Sequence, residues 1–155
     1  MTQVQPKPVI PEKIFIQSIN ITNAQVNAVA GQTPESWDKI EYRVATKTQF
    51  AKDSNDCKII ISTEFRKKGE AEESVISANF TIEFDFIVTN LDDFRTVQNP
   101  DQSEENPIII IQKDLGLALM SIVYSTARGI IMTRTAGTVL DGIILPVIDP
   151  ESILE

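Results

Sequence analysis

The sequence predicts an α+β fold in which a four-stranded antiparallel β-sheet packs on one long helix and a short C-terminal helix. Four stretches between Ile14 and Val88 alternate apolar and polar residues, which is the period of strands that bury one face. Past Pro107 the apolar residues recur every three or four positions, which is the period of a helix. A single domain over residues 14–155 accounts for this pattern, and the polar, proline-containing residues 1–13 are expected to form a flexible lead.

The first two predicted strands differ in regularity. Ile14–Asn27 is rich in β-branched residues, but its apolar positions change parity after Ile16, which indicates a bulge near Gln17–Ser18. A loop containing glycine and proline follows, and Trp37 lies just beyond it. The second strand, Ile40–Phe50, then alternates without interruption, as expected of a strand with one solvated face.

The third and fourth strands are predicted to form a hairpin. Cys57–Arg66 alternates, Lys67–Glu70 supplies turn residues, and Ile76–Val88 carries the longest continuous apolar face of the chain. Four consecutive strands joined by short turns predict an antiparallel meander with one apolar and one polar side.

The long helix is predicted to begin near Ile108 and to end near Ala136. Gly137 is then suited to the position after the last helical turn, where a left-handed conformation is common. The small residues along the helix allow a second helix to approach closely. Near the C-terminus, Asp149 followed by Pro150 is typical of a helix start, with an N-cap and a proline in the first turn.

The composition argues against several functional classes. The chain has no histidine, so neither a Ser-His-Asp triad nor a histidine-ligated metal is available, and the single cysteine, Cys57, cannot form an intrachain disulfide. A net charge of −8 argues against nucleic acid as a partner. No phosphate-binding motif is present, and we expect neither a cofactor nor enzymatic activity.

The sequence also bears on the compartment. The N-terminus lacks a basic region followed by an apolar stretch, so it is not a secretory signal. The longest uncharged apolar run, Leu115–Ala127, is too short to span a bilayer. We therefore expect a cytoplasmic protein without membrane insertion.

The carboxylate pairs give only weak evidence for a catalytic site. Glu83 and Asp85 share one face of the fourth strand at a spacing of about 7 Å, which can in principle flank a bond. Adjacent pairs such as Asp92–Asp93 point apart on a loop or strand. A solvated polar face is the simpler interpretation of both patterns.

The apolar side chains outnumber the places where one protomer can bury them. Trp37, Tyr42, Ile143, Ile144 and Ile148 lie in or beside predicted loops. Exposed apolar residues in such a chain indicate partners, which are further subunits, bound polypeptides or both.

The order of several short motifs resembles the SecB export chaperones. The motifs are Phe15–Ile19, the tryptophan before the second strand, and Tyr124–Ile131 with an alanine-arginine pair. They continue with Gly137–Val139 and with Ile144–Val147, a proline-valine element before the last helix. The resemblance covers residues 14–154.

The resemblance implies a homotetramer, a dimer of dimers assembled through the long helix, and ATP-independent holding of unfolded polypeptides in apolar grooves. Two groups of residues carry these roles by position. The residues expected to bind polypeptides are Trp37, Tyr42, Val44, Ile143, Ile144 and Val147. The small residues expected at the subunit interface are Ser125, Ala127 and Gly129.

Two departures weaken one implied partner, the export motor SecA. The first strand carries Asn23 and Asn27 where relatives that serve the motor use acidic residues, and the chain ends at Glu155 without a further tail. Some relatives are instead dedicated to an antitoxin, so a specific partner-binding module is the alternative function. A small-ligand carrier or enzyme, with its site between sheet and helix, is a more remote alternative.

Overall fold

The computed structural model describes residues 5–27, 37–68, 76–99 and 106–154. The main elements are strands β1 to β6 and helix α1, in chain order. Their bounds are β1 Ile14–Asn27, β2 Ile40–Phe50, β3 Asp56–Lys67, β4 Ser77–Val88, β5 Arg95–Gln98, β6 Ile108–Ile111 and α1 Lys113–Thr135. Short 3₁₀ turns occupy Pro11–Lys13, Trp37–Lys39, Leu91–Asp93 and Pro150–Ile153. The α+β class with one four-stranded antiparallel sheet and one long helix is confirmed.

The strand order corrects the predicted meander. The order is β1-β4-β3-β2, so β2, β3 and β4 are consecutive neighbours, but β1 pairs with β4 at the far side. A meander of all four strands would have placed β1 beside β2. As a result β1 and β2 form the two edges of the sheet, and the chain between them crosses from one edge to the other.

The predicted irregularity of β1 is confirmed. The register of β1 on β4 shifts between Ile16 and Ser18, where the parity of its apolar residues changes. A second shift lies between Ile21 and Asn23. The two shifts keep the isoleucines of β1 on the side of the sheet that carries the buried face of β4.

One side of the sheet forms the core with α1. Residues of β4 alternate between buried and half-buried along the strand, and Phe80, Ile82 and Phe84 are almost completely buried. Leu119 and Val123 of α1 are completely buried on the same core cluster. Burial of these side chains accounts for most of the hydrophobic stabilisation of the fold.

Helix α1 begins later than predicted. Ile108–Ile111 forms β6, which pairs antiparallel with β5 in a separate two-stranded ribbon. The start near Ile108 was wrong because four consecutive isoleucines fit both a strand and a helix by period, and β-branched residues favour the strand. The predicted end is confirmed, since the helix ends at Thr135 and Gly137 has a φ of 75°.

The length and composition of α1 would by themselves allow it to cross a membrane, with a mean hydropathy of 1.5 over 18 residues. Its buried face packs on the sheet, however, and 44% of that window is buried. The core helix of a globular protein meets the same criterion. The uncharged apolar run Leu115–Ala127 is shorter than α1, which spans Lys113–Thr135.

The two ends of the chain lie against this core. Val9 packs on the core cluster and Lys7 forms an ion pair with Asp93, so residues 5–13 lie on the domain rather than apart from it. At the other end the Asp149 carboxylate accepts a hydrogen bond from the Glu151 amide at 3.0 Å. The predicted N-cap is confirmed, and the short C-terminal helix is a single 3₁₀ turn.

Candidate functional site

Residues 143–148 form an irregular segment that lies across α1. Its side chains differ sharply in exposure: Leu145 is buried, whereas Ile144 is 45% exposed and Val147 is 83% exposed. Ile143 is also buried, with 3% of its surface exposed. The segment is therefore anchored by two apolar side chains and presents two others to the surroundings. We call it the presented segment.

Two side chains of α1 hold the backbone of the presented segment. The Tyr124 hydroxyl donates to the carbonyl of Pro146 at 2.7 Å, and the Arg128 Nε donates to the carbonyl of Leu145 at 2.8 Å. Tyr124 and Arg128 are four residues apart, so they lie on one face of the helix. Two neighbouring carbonyls, which no strand or helix pairs, are satisfied in this way.

Tyr42 of β2 lies on the side of the sheet that α1 covers, because it pairs with the buried Phe65 of β3. Burial raises the pKa of Tyr124, and Tyr42 raises it further, while Arg128 acts in the opposite direction. Tyr42 is 36% exposed, and Val44, on the same face of β2, is half-buried against the core.

The predicted polypeptide-binding residues thus fall into three groups. Tyr42, Ile144 and Val147 are exposed, and Val44 lies beside Tyr42 on the core-facing side of β2. Ile143 is a correction, because its side chain is in the core and cannot line a groove. Trp37 begins the 3₁₀ turn before β2, and the preceding residues 28–36, which contain the predicted crossover loop, lie outside the described residues.

A cleft of about 500 Å³ lies at the other end of β2, and no sequence pattern indicated it. Phe50 of β2, Ile109 and Ile111 of β6, and Leu154 supply most of its apolar lining. The Leu154 side chain lies against Gly116, where a Cβ would come within 3.2 Å of it. Because Ile109 and Ile111 were expected in a helix, the ribbon that forms this cleft was not foreseen.

A second apolar surface lies on the opposite side of α1, along β1. Ile16 and Ile19 of β1 are 45% and 38% exposed, although they face the same side as the core. A shallow groove runs between Ile21 of β1 and the helix residues Ser125 and Gly129. We call this surface the β1–helix groove.

Of the three residues predicted at the subunit interface, two are exposed and one is buried. Ser125 and Gly129 are exposed on the β1–helix groove. Among the described residues, nothing beyond the adjoining helix backbone lies within 4 Å of a Cβ built on Gly129. Ala127 is completely buried in the core, so its assignment to a subunit interface is corrected. Two positions along a helix differ by about 200°, so Ala127 and Gly129 face opposite ways.

The polar side of the sheet shows no arrangement suited to catalysis among the described residues. Lys58 lies between Glu83 and Asp85, at 3.3 Å and 3.5 Å from their carboxylates, and these contacts raise the pKa of Lys58. Asp85 also accepts a hydrogen bond from Ser18 at 2.6 Å. The two carboxylates weighed as a possible pair therefore form a surface ion-pair network. Within the part of the chain that the structure describes, no group of three or more acidic or cysteine side chains is placed to hold a metal ion.

The order of the sheet, the long helix and the ribbon-to-helix connection together define a SecB-like fold, as comparison with solved structures shows. One similar structure is the Mycobacterium tuberculosis SecB-like chaperone Rv1957, in complex with a ChAD peptide from the HigA1 antitoxin. The TM-score is 0.52, the similarity covers 88% of this chain and 91% of that one, and the sequence identity is 14%. No model of a protein family matches the sequence, and none of the curated proteins matches it.

Proposed function

We propose that this chain is a chaperone that binds extended, non-native polypeptides without ATP, on the surface formed by Tyr42, Ile144 and Val147. The main evidence for the proposal is the exposure of apolar side chains on the presented segment. Val147 is 83% exposed and directly follows two backbone carbonyls that side chains of α1 hold, so an apolar side chain is held out rather than folded in. The SecB-like fold supports the same role, since Rv1957 was solved with a peptide bound.

The chemistry of the surface suits an extended chain. Ile144 and Val147 supply apolar contact, and the half-exposed Tyr42 adds an aromatic ring with a polar end. A holding chaperone gains affinity from burying such side chains and binds the unfolded state preferentially, which prevents aggregation by mass action. No step of this binding requires a nucleotide.

We further propose that the chain assembles as a tetramer through the β1–helix groove and acts in the cytoplasm. Exposed Ile16 and Ile19 on β1, and the small residues Ser125 and Gly129 that line the groove with Ile21, favour an interface between helices and strands of neighbouring subunits. Delivery of bound polypeptides to the export motor SecA would be a more specific function than holding them. Asn23 and Asn27 on β1 argue against it, because they supply no negative charge for motor docking.

A dedicated partner is the second candidate function. Rv1957 holds a peptide from an antitoxin, so a chain of this fold can bind a segment of a specific protein. The same surface would then recognise one sequence rather than many. Binding of a panel of unrelated unfolded proteins, compared with capture of a single protein from a lysate of the source cells, separates the two functions.

The test uses the two most exposed residues of the presented segment. Changing Ile144 and Val147 together to serine should abolish suppression of aggregation when a chemically denatured client is diluted into buffer without ATP. Because both side chains are exposed, the free energy of unfolding should change by about 0.5 kcal/mol or less. Ile108→Ser is the matched control, since Ile108 is 49% exposed but lies on the ribbon. Equal suppression by wild type and the double variant would contradict the proposal.

A further inference from the structure

The presented segment is fixed by an unusual set of contacts. Residues 143–149 contain no strand or regular helix, so the segment has no ladder of backbone hydrogen bonds to hold it. The Asp149 cap organises only the turn that follows. Two side-chain donors on α1, Tyr124 and Arg128, instead reach the consecutive carbonyls of Leu145 and Pro146.

We infer that Tyr124 and Arg128 are positioning residues: by fixing two consecutive peptide planes they hold Val147 and Ile144 outward for binding. This inference rests on the proposed function. Leu145 enters the core with 1% of its surface exposed, while Val147, two residues later, is 83% exposed. The carbonyls of Leu145 and Pro146 lie between these side chains, so the two bonds set the direction in which the chain leaves the core.

The chemistry of the two donors fits this role. Pro146 has no backbone N–H, so its carbonyl is the only backbone group through which it can be held, and the ring already fixes one of its dihedral angles. Arg128 donates through the Nε of a guanidinium group, and a hydrogen bond from a charged donor is stronger than one from a neutral donor. Burial keeps the Tyr124 hydroxyl protonated, because it raises the pKa of that group.

The inference makes a local and a functional prediction. In a Tyr124→Phe/Arg128→Met variant, the backbone order parameters of Val147 and Ile148, measured by NMR relaxation, should fall below about 0.6, while those of β3 and β4 stay near about 0.85. Affinity for an unfolded model polypeptide should fall about tenfold, because the exposed side chains then have to be ordered on binding. The substitutions keep the aromatic ring and an apolar stem of similar length.

Two comparisons isolate the positioning role. Arg43→Met removes the same charge from the opposite face of the sheet. It should leave the order parameters of Val147 and Ile148 unchanged and the affinity within about twofold of wild type. The single variant Tyr124→Phe removes one oxygen atom and should show a smaller change of the same sign, which keeps the test valid if the double variant fails to fold.

The outcomes separate the inference from the proposed function. Lower order parameters at Val147 and Ile148 together with weaker binding support positioning. Unchanged order parameters at these two residues overturn it, even if binding weakens, because Tyr124 and Arg128 would then act by direct contact. If wild type binds no unfolded polypeptide, the proposed function fails, whereas the order parameters still decide whether the two donors hold the segment.

Discussion

Gly129 offers the sharpest test of assembly through the β1–helix groove. Gly129 is exposed on α1, and a Cβ added there meets nothing within 4 Å in the described part of the chain apart from the helix's own adjoining backbone. Within one protomer, Gly129→Ala should therefore raise the free energy of unfolding by up to about 1 kcal/mol, because alanine has the higher helix propensity. For a chain of this size the melting temperature should rise by about 2–4 °C. Gly129→Leu should fold equally well as an isolated protomer.

If Gly129 lies in a subunit interface, the Gly129→Leu variant should instead weaken assembly. Forcing a leucine into a close helix contact costs about 1–3 kcal/mol, and a two-fold interface contains the position twice. The loss of about 2–6 kcal/mol raises the dissociation constant at least about 30-fold. Sedimentation and light scattering over a range of concentrations measure the change. Gly129→Ala is the graded control.

One result would rule out a subunit interface at Gly129. If Gly129→Leu keeps the wild-type mass at every concentration and also melts at a higher temperature, the position faces solvent in solution. The subunit interface would then lie elsewhere, and the exposed isoleucines of β1 would need another explanation.

Two further predictions test the core. Burial raises the pKa of the Cys57 thiol from 9.0 to about 12. The unfolded chain loses this proton first as the pH rises, so stability that is complete below pH 9 falls by about 1.4 kcal/mol per pH unit above it. In Cys57→Ala, urea unfolding at pH 8 and pH 10 should show a loss smaller by about 1.4 kcal/mol, and an equal loss would contradict the assignment. Phe84→Ala should cost about 3–5 kcal/mol in the same assay, because Phe84 is fully buried, whereas Phe15→Ala, at a side chain 52% exposed, should cost under about 1 kcal/mol; similar costs would contradict the assigned faces.

The sequence predicts the elements of the sheet better than their arrangement. β2, β3 and β4 follow from alternation, because each strand buries one face and the local pattern records it. The position of β1 beside β4 does not follow from any local pattern. Its isoleucines show that one face is apolar, but they would be equally suited to a place beside β2. Strand order is decided by contacts between residues that are distant in sequence.

The candidate site shows the same limit more strongly. Ile143 and Ile144 are adjacent and chemically identical, yet one is buried and the other exposed, because the segment has no period from which a face can be read. The hydrogen bonds from Tyr124 and Arg128 were equally invisible, although both residues belong to a motif that the sequence singled out. The burial of Ala127, in contrast, follows from the helical period once Gly129 is placed outside.

The placement of the two apolar surfaces would allow one small chain to carry out both proposed roles, assembly and polypeptide binding. Because β1 and β2 are the two edges of the sheet, they are separated by three strand spacings, or about 14 Å. Helix α1 lies between them and presents Gly129 toward β1 and Tyr124 toward the presented segment. Subunits that meet along β1 therefore leave Tyr42 and Val147 accessible. A chain whose exposed apolar residues formed one continuous patch would instead have to give up binding surface in order to assemble, and the crossing of the chain from β1 to β2 is what prevents this.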